Sequence, residues 1–377
     1  MPWKVSPVSE IRLAFVHQVR SLGVSVAQAA RDFGISRKTA YKWIGRYREQ
    51  PAHPLADRSR RPASSPARTA EDLERRILEV RESFGWGGRK IQAYLAAQDV
   101  PVPSVRTVTN ILRRNGCIGP NTSPTEPIQF FERSHPHQLW QCDHKGPLEV
   151  GRRKVYPFTV LDDHSRYLIA CHTCLDVSMK PVFEVLWQAF GEFGLPEAIL
   201  CDNAFGTTFE VPKTISWFEA RLIRLGIQPL HGRPYHPQTQ GKVERLHGTL
   251  ERELWPRIRR DSLEHFQCDL DRWRRDVYNT IRPHESLGDR PPVSRFRPSF
   301  RSRPDILPPV EYPADAVVRK VSTSGDVRWQ CCRLLAGRGL VGEYVRIEDR
   351  DHEVALYYAS KQIRVIPREQ LKPNTML

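Results

Sequence analysis

The sequence has no apolar run that approaches the ~20 residues needed to span a bilayer. Its N-terminus also lacks the apolar core of a signal peptide, so we expect a soluble cytoplasmic protein that does not enter a membrane. In that compartment the eight cysteines are expected to be reduced thiols rather than a disulfide framework. The CxxC formed by Cys171 and Cys174 has no second cysteine pair or spaced histidine pair, so buried thiols are preferred over a zinc site.

Acidic side chains are too few to balance the basic ones. The chain has 43 Asp and Glu against 58 Lys and Arg, which gives a net charge of +15. Residues 1–62 alone hold 12 Lys and Arg but only 4 Asp and Glu. Such a balance favours a polyanionic partner, because each phosphate that is neutralised releases condensed counterions. We therefore predict a nucleic-acid partner and a basic N-terminal binding module, with a basic but unrelated enzyme as the alternative.

The basic N-terminal segment has the pattern of helices joined by a glycine turn. Apolar positions recur at helical spacing over residues 9–22 and again over residues 25–33. Gly34 suits a left-handed turn residue, and Ser36 can cap a helix that runs to about Arg48. This is the helix-turn-helix pattern, and an ordinary helical hairpin is its alternative. The candidate DNA contacts on the outer face of the last helix are Arg37, Lys38, Thr39, Lys42 and Arg46.

Residues 71–116 repeat this helical pattern. Ser104 is placed to cap a third helix, Arg106 points outward from it, and Gly116 ends it. We predict a second, winged-helix-like helix-turn-helix domain in which Arg106 contacts DNA. Packing or dimerisation would leave the same pattern and remains open.

From Leu139 the apolar period changes to that of strands. Three successive strands are predicted over 139–150, 155–162 and 166–174, followed by alternating helices and strands. The order is that of a ribonuclease H-like fold with a mixed five-stranded sheet. Five short strands between Ala316 and Val365 predict a small SH3-like β-barrel. The expected domains are 1–60 and 61–118 (helix-turn-helix), 119–133 (linker), 134–300 (ribonuclease H-like core), 301–315 (linker) and 316–377 (DNA-binding β-barrel).

Three acidic residues lie where this fold order can bring them together. Asp143 falls within an apolar strand, Asp202 follows another, and Glu244 is on a long helix. A carboxylate in a buried strand is costly unless it is paired or binds a metal. Carboxylates suit Mg²⁺ or Mn²⁺, and two such ions can activate water and stabilise a leaving oxygen. Taken singly, the three could be a hydrogen-bonded strand acid, a turn residue and a solvated helix residue.

Other side chains compete for roles at the same place. Asp162 and Asp163 are rival acids, but their position at a strand end in a turn with Ser165 favours a structural role. His247 is one helical turn beyond Glu244, so it either orients that carboxylate or packs in the interior.

Several motifs resemble the integrase core of retroviral-type transposases, the DDE superfamily. They are Trp140-Gln-Cys-Asp143, Leu161-Asp-Asp-His-Ser-Arg-Tyr167, Asp202-Asn203, Pro234-Tyr-His-Pro-Gln-Thr-Gln-Gly-Lys-Val-Glu-Arg245 and Tyr278-Asn-x-x-Arg282-Pro-His-x-x-Leu287-Gly. The resemblance covers the whole chain, since helix-turn-helix modules, core and terminal barrel follow one another as in bacterial insertion-sequence transposases.

The resemblance implies that Asp143, Asp202 and Glu244 bind two Mg²⁺ or Mn²⁺ ions and catalyse the reaction. It places Asn203, Gln238 and Lys242 beside the site, where they contact DNA or orient the acids. It implies binding to terminal inverted repeats, cleavage at the transposon ends, and joining of 3′ hydroxyls to target DNA without a covalent protein–DNA intermediate. Two ends must be joined, so a homodimer or larger assembly on DNA is expected, associated with the bacterial nucleoid.

Two features depart from the resembled pattern. The 41 residues between Asp202 and Glu244 exceed the common spacing, and Ala204 follows Asn203 where Gly is usual. One alternative is a catalytically inactive, transposase-derived DNA-binding regulator, although a binder does not need three acids that repel phosphate. Another is a recombinase with a nucleophile such as Tyr235 or Tyr278, but no set of arginines surrounds either tyrosine.

Overall fold

The computed structural model describes residues 7–49, 55, 57, 68–119, 132–201, 214–231 and 241–371. The chain divides into two compact units, Met1–Arg68 and Thr69–Leu377. None of the helices in these ranges is both long enough and apolar enough to cross a membrane.

The N-terminal unit contains three helices, as the sequence predicts. They are α1 (Val8–Arg20), α2 (Val26–Asp32) and α3 (Arg37–Glu49). Gly34 takes the left-handed conformation with φ of +62°, and the Ser36 hydroxyl accepts a hydrogen bond from the Thr39 amide at 3.2 Å. These two residues end one helix and begin the next because the turn needs a positive φ and the new helix an acceptor for its first amides.

The core of this unit is small and closely packed. Ala29 and Ala40 are fully buried, which lets α2 and α3 cross at short range, and Phe15 packs beside them. The ring of Trp43 is also buried, and the Arg12 guanidinium lies 3.8 Å from its centroid. Burial of this apolar face leaves the opposite, basic face of α3 toward solvent.

Three further helices open the second unit: α4 (Glu71–Phe84), α5 (Gly88–Ala96) and α6 (Val105–Arg114). The predicted cap is confirmed, since the Ser104 hydroxyl accepts from the Thr107 amide. Gly116 follows α6 with a φ of +70°. The three helices enclose an apolar core, and Val277 and Ile281 from later in the chain pack against it. These helices therefore share packing with the domain that follows them.

The central domain has a mixed sheet of six strands rather than the expected five. They are β1 (Trp140–His144), β2 (Leu148–Val150), β3 (Arg153–Asp162), β4 (Leu168–Cys174), β5 (Ala198–Cys201) and β6 (Gln228–His231). Strand β3 pairs antiparallel with β1, β2 and β4, whereas β1, β5 and β6 run parallel. The mixed sheet and the order of strands and helices along the chain are those expected from the sequence.

The extra strand arises because the first predicted strand is interrupted. Residues 145–147 separate β1 from β2 and contain a cis Gly146–Pro147 bond. The Lys145 amide still donates to the Pro157 carbonyl at 2.8 Å, so β2 continues the line of β1 along β3. Proline has no amide hydrogen, and the ladder therefore breaks at Pro147.

Helices cover both faces of this sheet. Successive side chains of each strand point to opposite faces, so neighbouring residues contact different helices. On one face lie α7 (Met179–Phe193) and α8 (Trp217–Arg224), which pack against Trp140 and Cys142. On the other lie α9 (Gly241–Thr249), which continues as a wider turn through Leu254, and α10 (Leu263–Arg272). Because side chains alternate along a strand, Gln141 and Asp143 point to the α9 face.

A buried ion-pair cluster joins the α4–α6 module to the central domain. The Glu253 carboxylate receives the Trp86 indole N–H at 2.9 Å, the Lys90 ammonium at 2.6 Å and the Arg282 guanidinium at 2.8 and 2.9 Å. Burial alone would raise the pKa of Glu253, but Arg282 and Lys90 outweigh it and lower that pKa. Glu253 is therefore a charged anchor between the two parts of the unit.

The C-terminal strands are present, but the predicted barrel is not. The strands are β7 (Val317–Lys320), β8 (Asp326–Trp329), β9 (Cys332–Leu335), β10 (Tyr344–Asp349), β11 (Glu353–Tyr358) and β12 (Lys361–Pro367). They form a four-stranded sheet, β12-β11-β10-β7, and a separate β8-β9 hairpin. Within 241–371, no backbone ladder closes the sheet onto the hairpin; the Arg364 side chain instead donates to the Leu335 carbonyl at 3.1 Å.

The reason is that the region's interior is completed by the central domain. Ile215 and Ala220, at the start of α8, belong to the same apolar cluster as Val345 and Leu356 of the sheet. The chain after β9 turns into a short 3₁₀ helix, Arg338–Leu340, that contacts α8. A sheet and hairpin that enclose another element have no need to close on each other.

Gly339 is the closest point of this contact, and its replacement by Ala is expected to destabilise the second unit. A Cβ there would collide with the Ile215 carbonyl and lie 2.6 Å from the Trp217 amide nitrogen. Backbone atoms cannot swing away, so we expect a loss of about 1–3 kcal/mol, measured by denaturant unfolding. Gly191→Ala is the control, because the Cβ would meet only the flexible Arg303 side chain. Equal stability of Gly339→Ala and Gly191→Ala would contradict the prediction.

Candidate functional site

Asp143 lies near the end of β1, on the face that α9 covers. Asp143 is paired with Thr159 of β3 in the sheet, and the Asp143 side chain is 25% exposed. One carboxylate oxygen, Oδ1, accepts a hydrogen bond from the His144 amide at 2.8 Å. The side chain is thus held near the end of an inner strand of the sheet, with part of its surface exposed.

Thr159 and His247 support Asp143 from β3 and α9. The Thr159 hydroxyl donates to the Asp143 carbonyl at 3.1 Å and lies 2.9 Å from His247 Nε2. Because the hydroxyl has a single hydrogen, Nε2 is the donor in the second contact. Burial lowers the pKa of His247 to about 4, so the ring is neutral near pH 7 and Nδ1 carries a lone pair.

This lone pair faces the acid. His247 Nδ1 is 3.8 Å from Asp143 Oδ2. A nitrogen lone pair and a carboxylate oxygen that face each other repel unless a positively charged group or a donor lies near them. His247 is buried against Thr159 and Asp143, which agrees with the interior-packing alternative.

Glu244 is exposed near the N-terminal end of α9. It is one helical turn before His247, so the two side chains share a flank of the helix. Helix α9 thereby carries an exposed carboxylate one turn before the histidine that lies near Asp143.

The third predicted acid, Asp202, lies outside the described residues, as do Asn203, Ala204 and Gln238. The residue before it can be placed: Cys201 ends β5, and Cys142 of β1 hydrogen-bonds to it through the side chain. Burial and this neighbour raise the pKa of Cys142 well above its ordinary value. Among the placed residues, no three His, Cys, Asp or Glu side chains form a group that could hold a metal ion.

Asp162 and Asp163 are both fully buried and hydrogen-bonded within the protein. Asp162 receives the amides of Ser165 and His137 at 2.8 and 2.7 Å. Asp163 receives the Lys242 ammonium at 2.5 Å and the Gln141 amide group at 2.7 Å. These bonds agree with the structural role that the turn position indicates, and Lys242 is half-buried against Asp163.

The candidate DNA contacts of the two helix-turn-helix modules differ in exposure. Arg37, Lys38 and Lys42 are exposed on α3, and Arg106 is exposed on α6. Thr39 is half-buried with its hydroxyl 2.9 Å from that of Ser36. Arg46 is half-buried as well, with its guanidinium 4.7 Å from the Trp43 ring centroid. Of the candidate contacts on α3, the three exposed cations thus lie in its first half.

Three supporting residues were not singled out for these roles from the sequence: Gln141, Thr159 and the Asp143-facing His247. Gln141 could have been found by the period of two along β1, which places it on the same face as Asp143. Thr159 had no such signal, because its pairing with Asp143 depends on the register between β1 and β3.

Comparison with protein families locates two kinds of domain in the chain. Integrase core domain models match residues 133–237 and 225–292. A helix-turn-helix domain model matches residues 11–63, and a homeodomain-like domain model matches residues 39–112.

Relatives come from insertion sequences and from retroviruses. A Geobacillus stearothermophilus protein, provisionally named as the transposase of insertion sequence element IS5376, is 24% identical over 94% of this chain and 87% of its own length. A protein of insertion element IS476 from Xanthomonas euvesicatoria is 28% identical over 46% of this chain and 48% of its own. The Gag-Pro-Pol polyprotein of mouse mammary tumor virus is 34% identical over 32% of this chain and 6% of its own length.

Solved structures with some similarity include two from retroviruses. A simian T-cell lymphotropic virus intasome in complex with a PP2A regulatory subunit has a TM-score of 0.37 and 16% identity, over 79% of this chain and 98% of that one. The HTLV-2 integrase catalytic core in complex with magnesium has a TM-score of 0.32 and 17% identity, over 43% and 97%. By these sequence matches, the chain contains an integrase core domain with helix-turn-helix domains ahead of it, and it is similar to proteins named for bacterial insertion sequences.

Proposed function

We propose that this chain is a transposase that cleaves transposon ends and joins their 3′ hydroxyls to target DNA. The observation that carries the proposal is the apposition of β1, β5 and α9 at one end of the sheet. His247 of α9 lies 3.8 Å from Asp143 of β1, and Glu244 is one helical turn before His247. In the sequence Asp202 directly follows Cys201, whose side chain hydrogen-bonds to Cys142.

The residues fit a site for two divalent ions such as Mg²⁺ or Mn²⁺. Asp143, Asp202 and Glu244 would supply carboxylate oxygens, the ligands that these hard cations prefer. When bound, the ions would supply activation of water and stabilisation of the leaving oxygen. The protein's part is to hold the acids, and His247, neutral at pH 7, adds no competing positive charge.

DNA binding is assigned to several surfaces of the chain. Arg37, Lys38 and Thr39 at the start of α3 would read bases, and Lys42 and Arg46 would contact phosphates. Arg106 on α6 and the C-terminal strands would add contacts, and Asn203 and Gln238 would lie beside the reacting strand. Lys242 would reach DNA only by leaving Asp163, so we assign it to orienting the acids.

Joining two transposon ends requires both to be held at once, which favours a homodimer or a larger assembly on DNA. Relatives named after bacterial insertion sequences support action at the nucleoid. The domain limits proposed above, from the helix-turn-helix domains at 1–60 and 61–118 to the C-terminal domain at 316–377, describe how these tasks are divided.

The test of this function uses a labelled duplex that carries the terminal inverted repeat of the element. With Mg²⁺ or Mn²⁺ the full-length protein is expected to nick the 3′ ends and join them to a target, and EDTA should stop both steps. Binding without cleavage in either metal would favour a catalytically inactive DNA-binding regulator. A covalent protein–DNA adduct would contradict the proposed chemistry.

Base reading by α3 gives a separate prediction. Arg37→Ala is expected to weaken binding to the inverted repeat by roughly 1–3 kcal/mol and binding to random DNA by less, measured by competition at fixed salt. Arg48→Ala, an exposed arginine in the last turn of the same helix, is the control and should affect both DNAs alike. An equal loss on both DNAs for Arg37→Ala would exclude a base-reading role.

A further inference from the structure

Asp163 is fully buried, and no function was assigned to it above. Its carboxylate nevertheless accepts three hydrogen bonds from distant parts of the chain. Its Oδ1 accepts from Lys242 Nζ at 2.5 Å and from Gln141 Nε2 at 2.7 Å. Its Oδ2 accepts from the Arg133 amide at 2.7 Å. Its own amide donates to the Leu139 carbonyl at 2.9 Å. One carboxylate thus ties together three segments of the chain.

Two of these segments carry candidate metal ligands. Gln141 is two residues before Asp143 on the same face of β1, and Lys242 is two residues before Glu244 on α9. A shift of α9 along the sheet would therefore break the Lys242–Asp163 contact and move Glu244 relative to Asp143 by the same amount. The Asp163 carboxylate links the strand of one acid to the helix of the other.

We propose that Asp163 is a positioning residue that sets the separation of Asp143 and Glu244 by holding Gln141 and Lys242 together. The inference rests on the proposed function, since it concerns the geometry of that metal site. Asp163 touches no substrate and no ion; it acts through the two elements that it joins.

The neighbouring carboxylate provides a natural comparison. Asp162 is equally buried and accepts hydrogen bonds from Ser165 and from the His137 amide. None of the hydrogen bonds that it accepts in the structure comes from β1 or α9. Neutralising a buried carboxylate at either position should lower the stability of the protein. Only neutralising a carboxylate that positions metal ligands should also lower the affinity for metal.

The experiment measures Mn²⁺ binding to the full-length protein by electron paramagnetic resonance of the free ion, together with thermal stability. Asp163→Asn is expected to raise the Kd for Mn²⁺ by about tenfold or more, the usual effect of losing a group that orients metal ligands. Asp162→Asn is expected to lower stability without changing that Kd. Gln141→Leu, which keeps the Asp163–Lys242 ion pair and so protects the fold, should raise the Kd in the same direction.

A wild-type Kd for Mn²⁺ in folded Asp163→Asn or Gln141→Leu would overturn the inference. So would an equal rise in Kd for Asp162→Asn, because the effect would then follow general destabilisation. If Asp143→Asn binds Mn²⁺ with the wild-type Kd, the proposed metal site itself is excluded. That outcome is distinguishable from the two above, which concern only Asp163.

Discussion

Replacing Glu244 by Gln, or Asp143 by Asn, is expected to lower the rate of end cleavage about a thousandfold or more while DNA binding persists. Each substitution keeps the size of the side chain but removes a negative charge from a hard-cation site. Loss of several kcal/mol of charge stabilisation in the transition state corresponds to such a factor. Single-turnover cleavage of a labelled duplex, with binding followed separately, measures both quantities.

Glu251 provides the control for this prediction. It is an exposed acid seven residues beyond Glu244, and it pairs with Lys145 at 2.5 Å. Glu251→Gln is expected to cleave at the wild-type rate, because an exposed pair of this kind contributes little. Cleavage by Glu244→Gln at the rate of Glu251→Gln would exclude Glu244 from catalysis.

Replacing Glu253 by Gln is expected to destabilise the second unit by about 3–5 kcal/mol, the usual cost of leaving buried charges without their partner. The variant retains an amide that can hydrogen-bond, but Lys90 and Arg282 lose the anion between them. Chemical denaturation at pH 7 measures the loss. Glu285→Gln is the control, since it removes only an exposed pair with Arg89 and should leave stability nearly unchanged.

The same cluster predicts how stability varies with pH. The pKa of Glu253 is lower in the folded protein than its ordinary value. Its contribution is therefore complete above that ordinary value and is lost as the pH falls through the lowered one. Wild-type protein should lose stability in this acidic range, and Glu253→Gln should lose less. An identical acid dependence in both proteins would contradict the role given to Glu253.

Much of the fold follows from local patterns that the sequence displays directly. The Gly34–Ser36 turn and the Ser104 cap were predictable because caps and left-handed turns need particular residues at single positions. Strand β5, Ala198–Cys201, is the apolar strand expected before Asp202, since a short apolar run before a polar residue has few alternatives.

Features that depend on distant parts of the chain were not predictable in this way. The barrel was expected because its strands are regular, but the interior is completed by Ile215 and Ala220 from another domain. The break between β1 and β2 lies at Pro147, a local signal, but the pairing of both strands with β3 could not be read from the sequence. At the site, sequence motifs indicate which acids are candidates. The contacts of His247 with Asp143 and of Lys242 with Asp163 could not be predicted, because they depend on how α9 packs on the sheet.

Asp202 is the acid on which the central claim depends most, and its variant gives the most direct test. Asp202→Asn and wild-type protein are compared in Mn²⁺ on a duplex carrying the inverted repeat, with binding and joined product measured in the same samples. We predict equal binding, joined product with the wild type, and none with the variant. Joined product from Asp202→Asn at the wild-type level would contradict the assignment of this chain as a transposase with an acidic metal site.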